Sequence, residues 1–148
     1  MKPTIEELIQ NKNNKYVFHG SIKKLSYLEP RQTKDSNGEI SNIDDAIFLS
    51  SDFFGAIPYS FKENIKENSK NLDWSFNIPY NNNEIKMTMK NVIIDENLKG
   101  YIYVFEKTKD MKNEPLGSTQ WKCYHKLIPL YSIKVCYKDY SKYFKVIK

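Results

Sequence analysis

The stretch Lys15-Tyr16-Val17-Phe18-His19-Gly20-Ser21 decides how the chain folds. It is an apolar, β-prone run that stops at an imidazole, a glycine and a hydroxyl, the way a buried strand delivers polar groups to its end. Val17 is β-branched and the aromatic residues beside it suit a pleated surface, so residues 15–19 are predicted to be a strand with His19 at its rim. Gly20 would let the chain turn, or let a ligand approach the backbone closely. The segment leaves two readings of His19 open: a hydrogen-bonded core histidine before a turn, or a functional imidazole.

Around this strand lie 148 residues, the size of one domain, and residues 1–148 are read as a single unit. Hydrophobic residues make up 40% and aromatics 14%, enough for a real core without cross-links, which excludes the disordered class. No run approaches the roughly 18 apolar residues of a membrane span, and the amino terminus Met1-Lys2-Pro3-Thr4 lacks an apolar signal region. A soluble, cytoplasmic protein with no membrane partner is expected. Cys123 and Cys136 are the only cysteines, neither sits in a metal-ligand spacing, and two thiols supply no disulfide framework. No metal site is expected.

The formal charge is +5, carried almost wholly by lysine, because Arg31 is the only arginine. Such a balance favours phosphates, nucleic acid or an acidic partner. The lysines are dispersed, however, as on an ordinary solvated basic surface. Arg31 stands out as a planar, forked donor in a chain that uses lysine everywhere else.

Taken in order, Thr4 and Glu7 form a capping box, and Ile5, Leu8 and Ile9 mark one face, predicting a helix over 4–10. After the strand, Ile22, Leu25 and Leu28 recur in a short apolar connector. Residues 31–45 read as a polar surface loop. Ala46-Ile47-Phe48-Leu49 has strand length, and Ser50-Ser51-Asp52 offers caps for a helix over 52–66, bent at Pro58. Trp74, Phe76 and Ile78, then Ile85, Met87 and Met89, alternate on either side of an asparagine turn, an antiparallel pair that Val92-Ile93-Ile94 is expected to extend. Tyr101 to Phe105 reads as a central strand. Residues 106–117 read as a polar loop, Thr119 to Tyr124 as extended chain, and Leu127 to Tyr137 as a long β-prone run before a lysine- and tyrosine-rich tail. The class is α+β: a largely antiparallel sheet, or pair of sheets, with helices packed at one side.

With its order of motifs in view, the chain resembles a known family. Tyr16-Val17-Phe18-His19-Gly20-Ser21, Leu28-Glu29-Pro30, Ile47-Phe48-Leu49-Ser50-Ser51, the aromatic helix, and Gly100-Tyr101-Ile102-Tyr103-Val104-Phe105 are similar to the small ADP-ribosyltransferase-like proteins. Within the diphtheria-toxin-like class, the likeness is to the rifamycin-inactivating enzymes and their bacterial and phage relatives. Ser118-Thr119-Gln120-Trp121-Lys122 resembles the segment that carries the third motif residue. The resemblance covers most of residues 15–136 and implies split antiparallel β-sheets with flanking helices.

It also implies roles. His19 matches the histidine that bonds a ribose hydroxyl of NAD, Gly20 matches the neighbour whose exposed backbone pairs with the nicotinamide carboxamide, and Ser21 completes that motif. Phe48 stands where the family usually has tyrosine, and its ring keeps the face that stacks on nicotinamide. Tyr59 is a candidate second aromatic wall, or a core-edge tyrosine. Arg31 is a candidate clamp on the pyrophosphate, or a surface arginine. Gln120 departs from the family's glutamate. A carboxylate stabilises the positive charge that builds on the ribose carbon, which an amide does not. Asp110 and Glu114 are the acids that would compensate, or are solvated loop charges. The resemblance implies NAD as substrate and mono-ADP-ribosyl transfer to an unknown acceptor: a protein, a nucleic acid or a small molecule. Such a protein would act as a bacterial or phage effector, in its own cytoplasm or a host's. The alternatives are a degraded member of the fold that binds a nucleotide or a partner protein, and a basic nucleic-acid-binding domain.

Overall fold

In the computed structural model, residues 2–30, 46–78 and 84–147 are described. The predicted capping box is formed: the Glu7 N–H donates to Thr4 Oγ1 at 3.1 Å, and the Thr4 N–H donates to the Glu7 carboxylate at 3.2 Å. Helix α1 (Ile5–Gln10) starts there and ends at Asn11, whose φ of 43° is left-handed. The Asn11 side chain then stitches three segments together. Its Nδ2 donates to the carbonyls of Tyr16 and Ser51 at 2.8 and 2.7 Å, and its Oδ1 accepts from the Tyr16 N–H at 2.8 Å.

The chain continues as β1 (Tyr16–Ser21), β2 (Ile47–Ser50), α2 (Phe53–Asn68), β3 (Ser75–Asn77), β4 (Met87–Lys90), β5 (Lys99–Glu106), β6 (Lys112–Asn113), β7 (Gln120–Cys123), β8 (Tyr131–Cys136), α3 (Tyr137–Tyr140) and β9 (Phe144–Ile147). A six-stranded antiparallel sheet has the order β6-β7-β2-β1-β5-β8. A three-stranded sheet has the order β3-β4-β9, with β4 and β9 parallel. The class is α+β, with antiparallel ladders and few helices, as the sequence predicts.

Successive side chains of a strand leave on opposite faces, and both faces of the six-stranded sheet are buried. Phe18, Ile102, Val104 and Val135 lie under Phe53, Ile57, Phe61 and Ile65 of α2, together with Met87 and Met89 of the smaller sheet. Val17, Ile47, Leu49, Tyr103, Phe105 and Cys123 point the other way, against Leu28, Met111 and Leu127. This double burial is why β1 and β5 read as near-continuous apolar runs rather than alternating ones.

Helix α2 is capped by Asp52, whose Oδ1 accepts from the Phe54 N–H at 3.1 Å, while its Oδ2 pairs with Lys86 Nζ at 2.8 Å. The helix runs on through Pro58 to Asn68, beyond the expected end. It lies unusually close to the sheet at two glycines. A Cβ on Gly20 would stand 2.3 Å from the Ala56 carbonyl oxygen, and one on Gly100 would stand 2.2 Å from that of Ser60. The Ser60 hydroxyl, fully buried there, donates to the Tyr101 carbonyl at 3.1 Å.

Two expectations are corrected. Residues 106–117 are not loop throughout, since Lys112 and Asn113 pair with Lys122 and Trp121 as β6. Val92-Ile93-Ile94 does not extend the hairpin: Asn91 turns the chain with a φ of 57°, and the Ile93 N–H donates to Ser69 Oγ instead. The lysine- and tyrosine-rich tail, to which the sequence assigns no element, contains β9: Phe144–Ile147 pairs with β4 and Phe144 buries its ring.

Candidate functional site

The seam between β1 and β2 carries the residues singled out from the sequence. The strands meet in register at Phe18 opposite Ser50, and β2 meets β7 with Phe48 opposite Lys122 and Ser50 opposite Gln120. Facing residues point the same way. Phe18, Phe48, Ser50, Gln120 and Lys122 therefore share the face that carries α2, whereas His19, Ser21, Leu49 and Trp121 share the other. The expectation that the side chains of His19, Phe48 and Gln120 converge in one hollow is corrected by this register. Residue parity, fixed by the pairing, sends His19 away from the other two.

His19 and Phe48 are nevertheless joined, through the main chain. His19 Nδ1 lies 3.0 Å from the Phe48 carbonyl oxygen, which only accepts, so Nδ1 carries the hydrogen. In the neutral ring the lone pair is then on Nε2. The half-buried imidazole thus spans the seam. Across β1 from it, Tyr103 stands in register with His19, and its hydroxyl donates to the Lys23 carbonyl at 2.7 Å while accepting from the Leu25 N–H at 2.5 Å. This pins the 22–28 connector over the His19 face.

On the other face, Lys122 is buried along its stem, with Nζ 5.5 Å from the centre of the Phe48 ring and 3.2 Å from Glu114 Oε2. Gln120 Nε2 donates to the Glu114 carbonyl at 2.7 Å. Its amide nitrogen is thereby committed to holding the β6–β7 hairpin. Glu114, Lys122, Phe48 and Gln120 form one connected group.

The remaining sequence candidates are placed as follows. Gly20 is buried, and its open side is filled by the α2 backbone. The reading that it exposes its backbone for close ligand approach is revised on this face: helix–sheet packing is what requires glycine. Ser21 Oγ accepts from the Lys23 N–H at 3.1 Å and closes the turn after β1. Tyr59 sits exposed on the α2 turn that touches Gly20, with Lys62 Nζ 5.8 Å from its ring centre. Arg31 lies outside the described residues. Of the two compensating acids, Asp110 is engaged elsewhere, with His125 and Thr108. Glu114 is the one beside Gln120.

Asp110 belongs to a grouping that sequence spacing did not reveal. One ligand-type atom from each of Asp110, Cys123 and His125 lies within 4.8 Å of the other two. Hydrogen bonds from Thr108 and then His125 hold the Asp110 carboxyl below its ordinary range, and hydrogen bonds to the Lys126 carbonyl and then Asp110 raise His125. Burial, followed by the Asp110 charge, pushes the Cys123 thiol up. A buried thiol shifted that way is a poor nucleophile. His125 also has its ring nitrogens turned to Asp110 and to the Lys126 carbonyl, so neither serves as a base for Cys123.

No family model, no curated protein and no solved structure matches the chain. Among the described residues, no helix is long and apolar enough to cross a membrane.

Proposed function

We propose that the chain is an NAD-dependent mono-ADP-ribosyltransferase of the ADP-ribosyltransferase-like fold, with the β1–β2 seam as its dinucleotide site. The observation that carries this reading is the His19 Nδ1 to Phe48 carbonyl hydrogen bond. It ties together, from strands far apart in sequence, the two residues that the motif resemblance names as NAD-binding. It also fixes the tautomer of His19, with the hydrogen on Nδ1.

The chemistry follows from the groups around Phe48. NAD binds with its nicotinamide on the Phe48 ring, on the face that Phe48 shares with Gln120 and Lys122, and His19 acts from the opposite face by holding the Phe48 carbonyl. The bond between the ribose carbon and the nicotinamide nitrogen breaks, nicotinamide leaves with the electron pair, and the ribose carbon takes on oxocarbenium character. An acceptor nucleophile attacks that carbon and loses its proton. Glu114 supplies the negative charge that Gln120 lacks, steered by Lys122, and Gln120 Oε1 accepts from the ribose. Electrostatic stabilisers of this kind contribute about 10² to 10³ in rate.

Incubation with NAD and assay of released nicotinamide, beside an NAD-binding titration, tests the reading. Wild type binds NAD and releases nicotinamide. His19→Ala abolishes binding, Gln120→Glu raises turnover, and Glu114→Gln lowers turnover by about 10² while binding persists. Binding without release supports the degraded-member alternative. Unchanged NAD affinity in His19→Ala overturns the site. Salt-dependent oligonucleotide binding without NAD affinity favours the nucleic-acid alternative.

A further inference from the structure

We propose that Asp110, Cys123 and His125 form a binding site for a thiophilic divalent cation, zinc by its ligand chemistry, with a fourth position open to solvent. The site is separate from the β1–β2 seam and does not depend on the transferase reading. Three different donors meet there: a sulfur, an imidazole nitrogen and a carboxylate oxygen, mutually within 4.8 Å. Zinc takes such sets tetrahedrally, with metal–sulfur near 2.3 Å and metal–nitrogen near 2.0–2.1 Å.

The surrounding hydrogen bonds orient two of the donors. His125 Nδ1 faces the Lys126 carbonyl at 3.0 Å, so Nδ1 keeps the hydrogen and Nε2 is the nitrogen turned to the group. Thr108 Oγ1 donates to Asp110 Oδ1, leaving Oδ2 on the His125 side. Ligands in metal sites are ordinarily held by outer partners of this kind, which fix tautomer and orientation. Cys123 supplies the rigid element. It is fully buried, in register with Ile47 of β2, and its S–H donates to the His125 carbonyl at 3.5 Å. Asp110 and His125 are both about half exposed, at 53%, so two of the three donors face solvent.

The donor set also selects the ion. Thiolate with imidazole disfavours calcium and magnesium, which prefer oxygen shells, and suits zinc. Binding replaces the thiol S–H and the His125 Nε2–H, which faces the Asp110 carboxylate, by bonds to the metal and releases both protons, so affinity rises with pH. Three protein ligands and an open fourth position match the zinc arrangement that retains a water or takes a further ligand.

Cobalt(II) is the probe, titrated into the full chain with its thiols reduced and metals stripped. One saturating equivalent is expected, with a sulfur-to-metal absorption band in the near ultraviolet, and zinc displaces it. Cys123→Ser removes the band and Cys136→Ser keeps it. Thr108→Ala weakens binding roughly tenfold, and His125→Ala and Asp110→Asn weaken it at least as much. Circular dichroism checks each fold. If Cys123→Ser fails to fold, the two exposed variants carry the test. Absence of saturable binding by the folded chain overturns the site. Wild-type affinity in both His125→Ala and Asp110→Asn overturns it as well.

Discussion

Alanine at Gly100 should push α2 off the six-stranded sheet. Its Cβ would stand 2.2 Å from the Ser60 carbonyl oxygen and 2.9 Å from both the Ser60 carbonyl carbon and Cβ. Ordinary carbon–oxygen contact begins near 3.4 Å, so helix and strand must separate by about 1 Å, and the obstacle is backbone that no rotamer relieves. Phe61 and Ile65, fully buried on the following turns of α2, would loosen with it. Overpacking costs about 1–3 kcal/mol, and a backbone obstacle belongs at the upper end, about 3 kcal/mol. Exchanging glycine for alanine returns about 0.5–1 kcal/mol through the unfolded chain. The net loss is about 2 kcal/mol, or a Tm lower by roughly 4–8 °C at this chain length. Urea unfolding followed by the fluorescence of Trp74 and Trp121 measures it. Gly20→Ala meets the same helix one turn earlier, at Ala56, so one displacement accommodates both methyl groups. The double variant should lose clearly less than the sum of the singles. A Gly100→Ala protein within about 0.5 kcal/mol of wild type, or strict additivity, refutes the close-packing account.

Three further outcomes are expected. Asn11→Ala removes three buried hydrogen bonds and places alanine at a φ of 43°, and should cost about 3–5 kcal/mol in denaturant unfolding. Asp52→Ala loses both the α2 cap and the pair with Lys86, for about 2–4 kcal/mol, whereas Asp52→Asn keeps the cap and should lose clearly less. The His125–Asp110 pair should make stability depend on pH from both sides. The His125 value is raised, so its contribution is complete below the ordinary 6.5 and fades as pH rises through the folded value. The Asp110 value is lowered, so its contribution is complete above the ordinary 3.8 and fades as pH falls through the folded value. Chelator-treated Asp110→Asn should remove the acid flank in urea midpoints measured across pH and only reduce the other, because the Lys126 carbonyl still raises His125, and an NMR titration should show His125 lowered part of the way. An unchanged profile would mean that the pair does not form in solution.

The local signals were legible wherever a few neighbouring residues settle the outcome. The Thr4–Glu7 box, the Asp52 cap and the central strand at residues 101–105 are of this kind, since capping and apolar run length are properties of adjacent side chains. The tail was not legible, because four residues in a lysine- and tyrosine-rich segment become a strand only when β4 is alongside. Gly20 was noticed, but its reason lay in a helix whose approach no sequence pattern records. At the candidate site the sequence named His19 and Phe48, and the fold joined them through a carbonyl, an atom that carries no side-chain signature. Glu114 and Asp110 looked equivalent in the sequence. The β6–β7 hairpin separated them, sending one to Lys122 and the other to His125.

By itself, the sequence determined that this chain is α+β, where its principal strands and helices start, and which imidazole and ring to watch. Those features arise from hydrophobic period, capping and turn chemistry, all of which act over a few residues. Only the tertiary structure decided which face each side chain occupies, why Gly20 and Gly100 carry no Cβ, and that a cysteine without a metal-binding spacing stands beside a histidine and an aspartate. Strand register fixes these things, and register is a property of two segments meeting across the sheet.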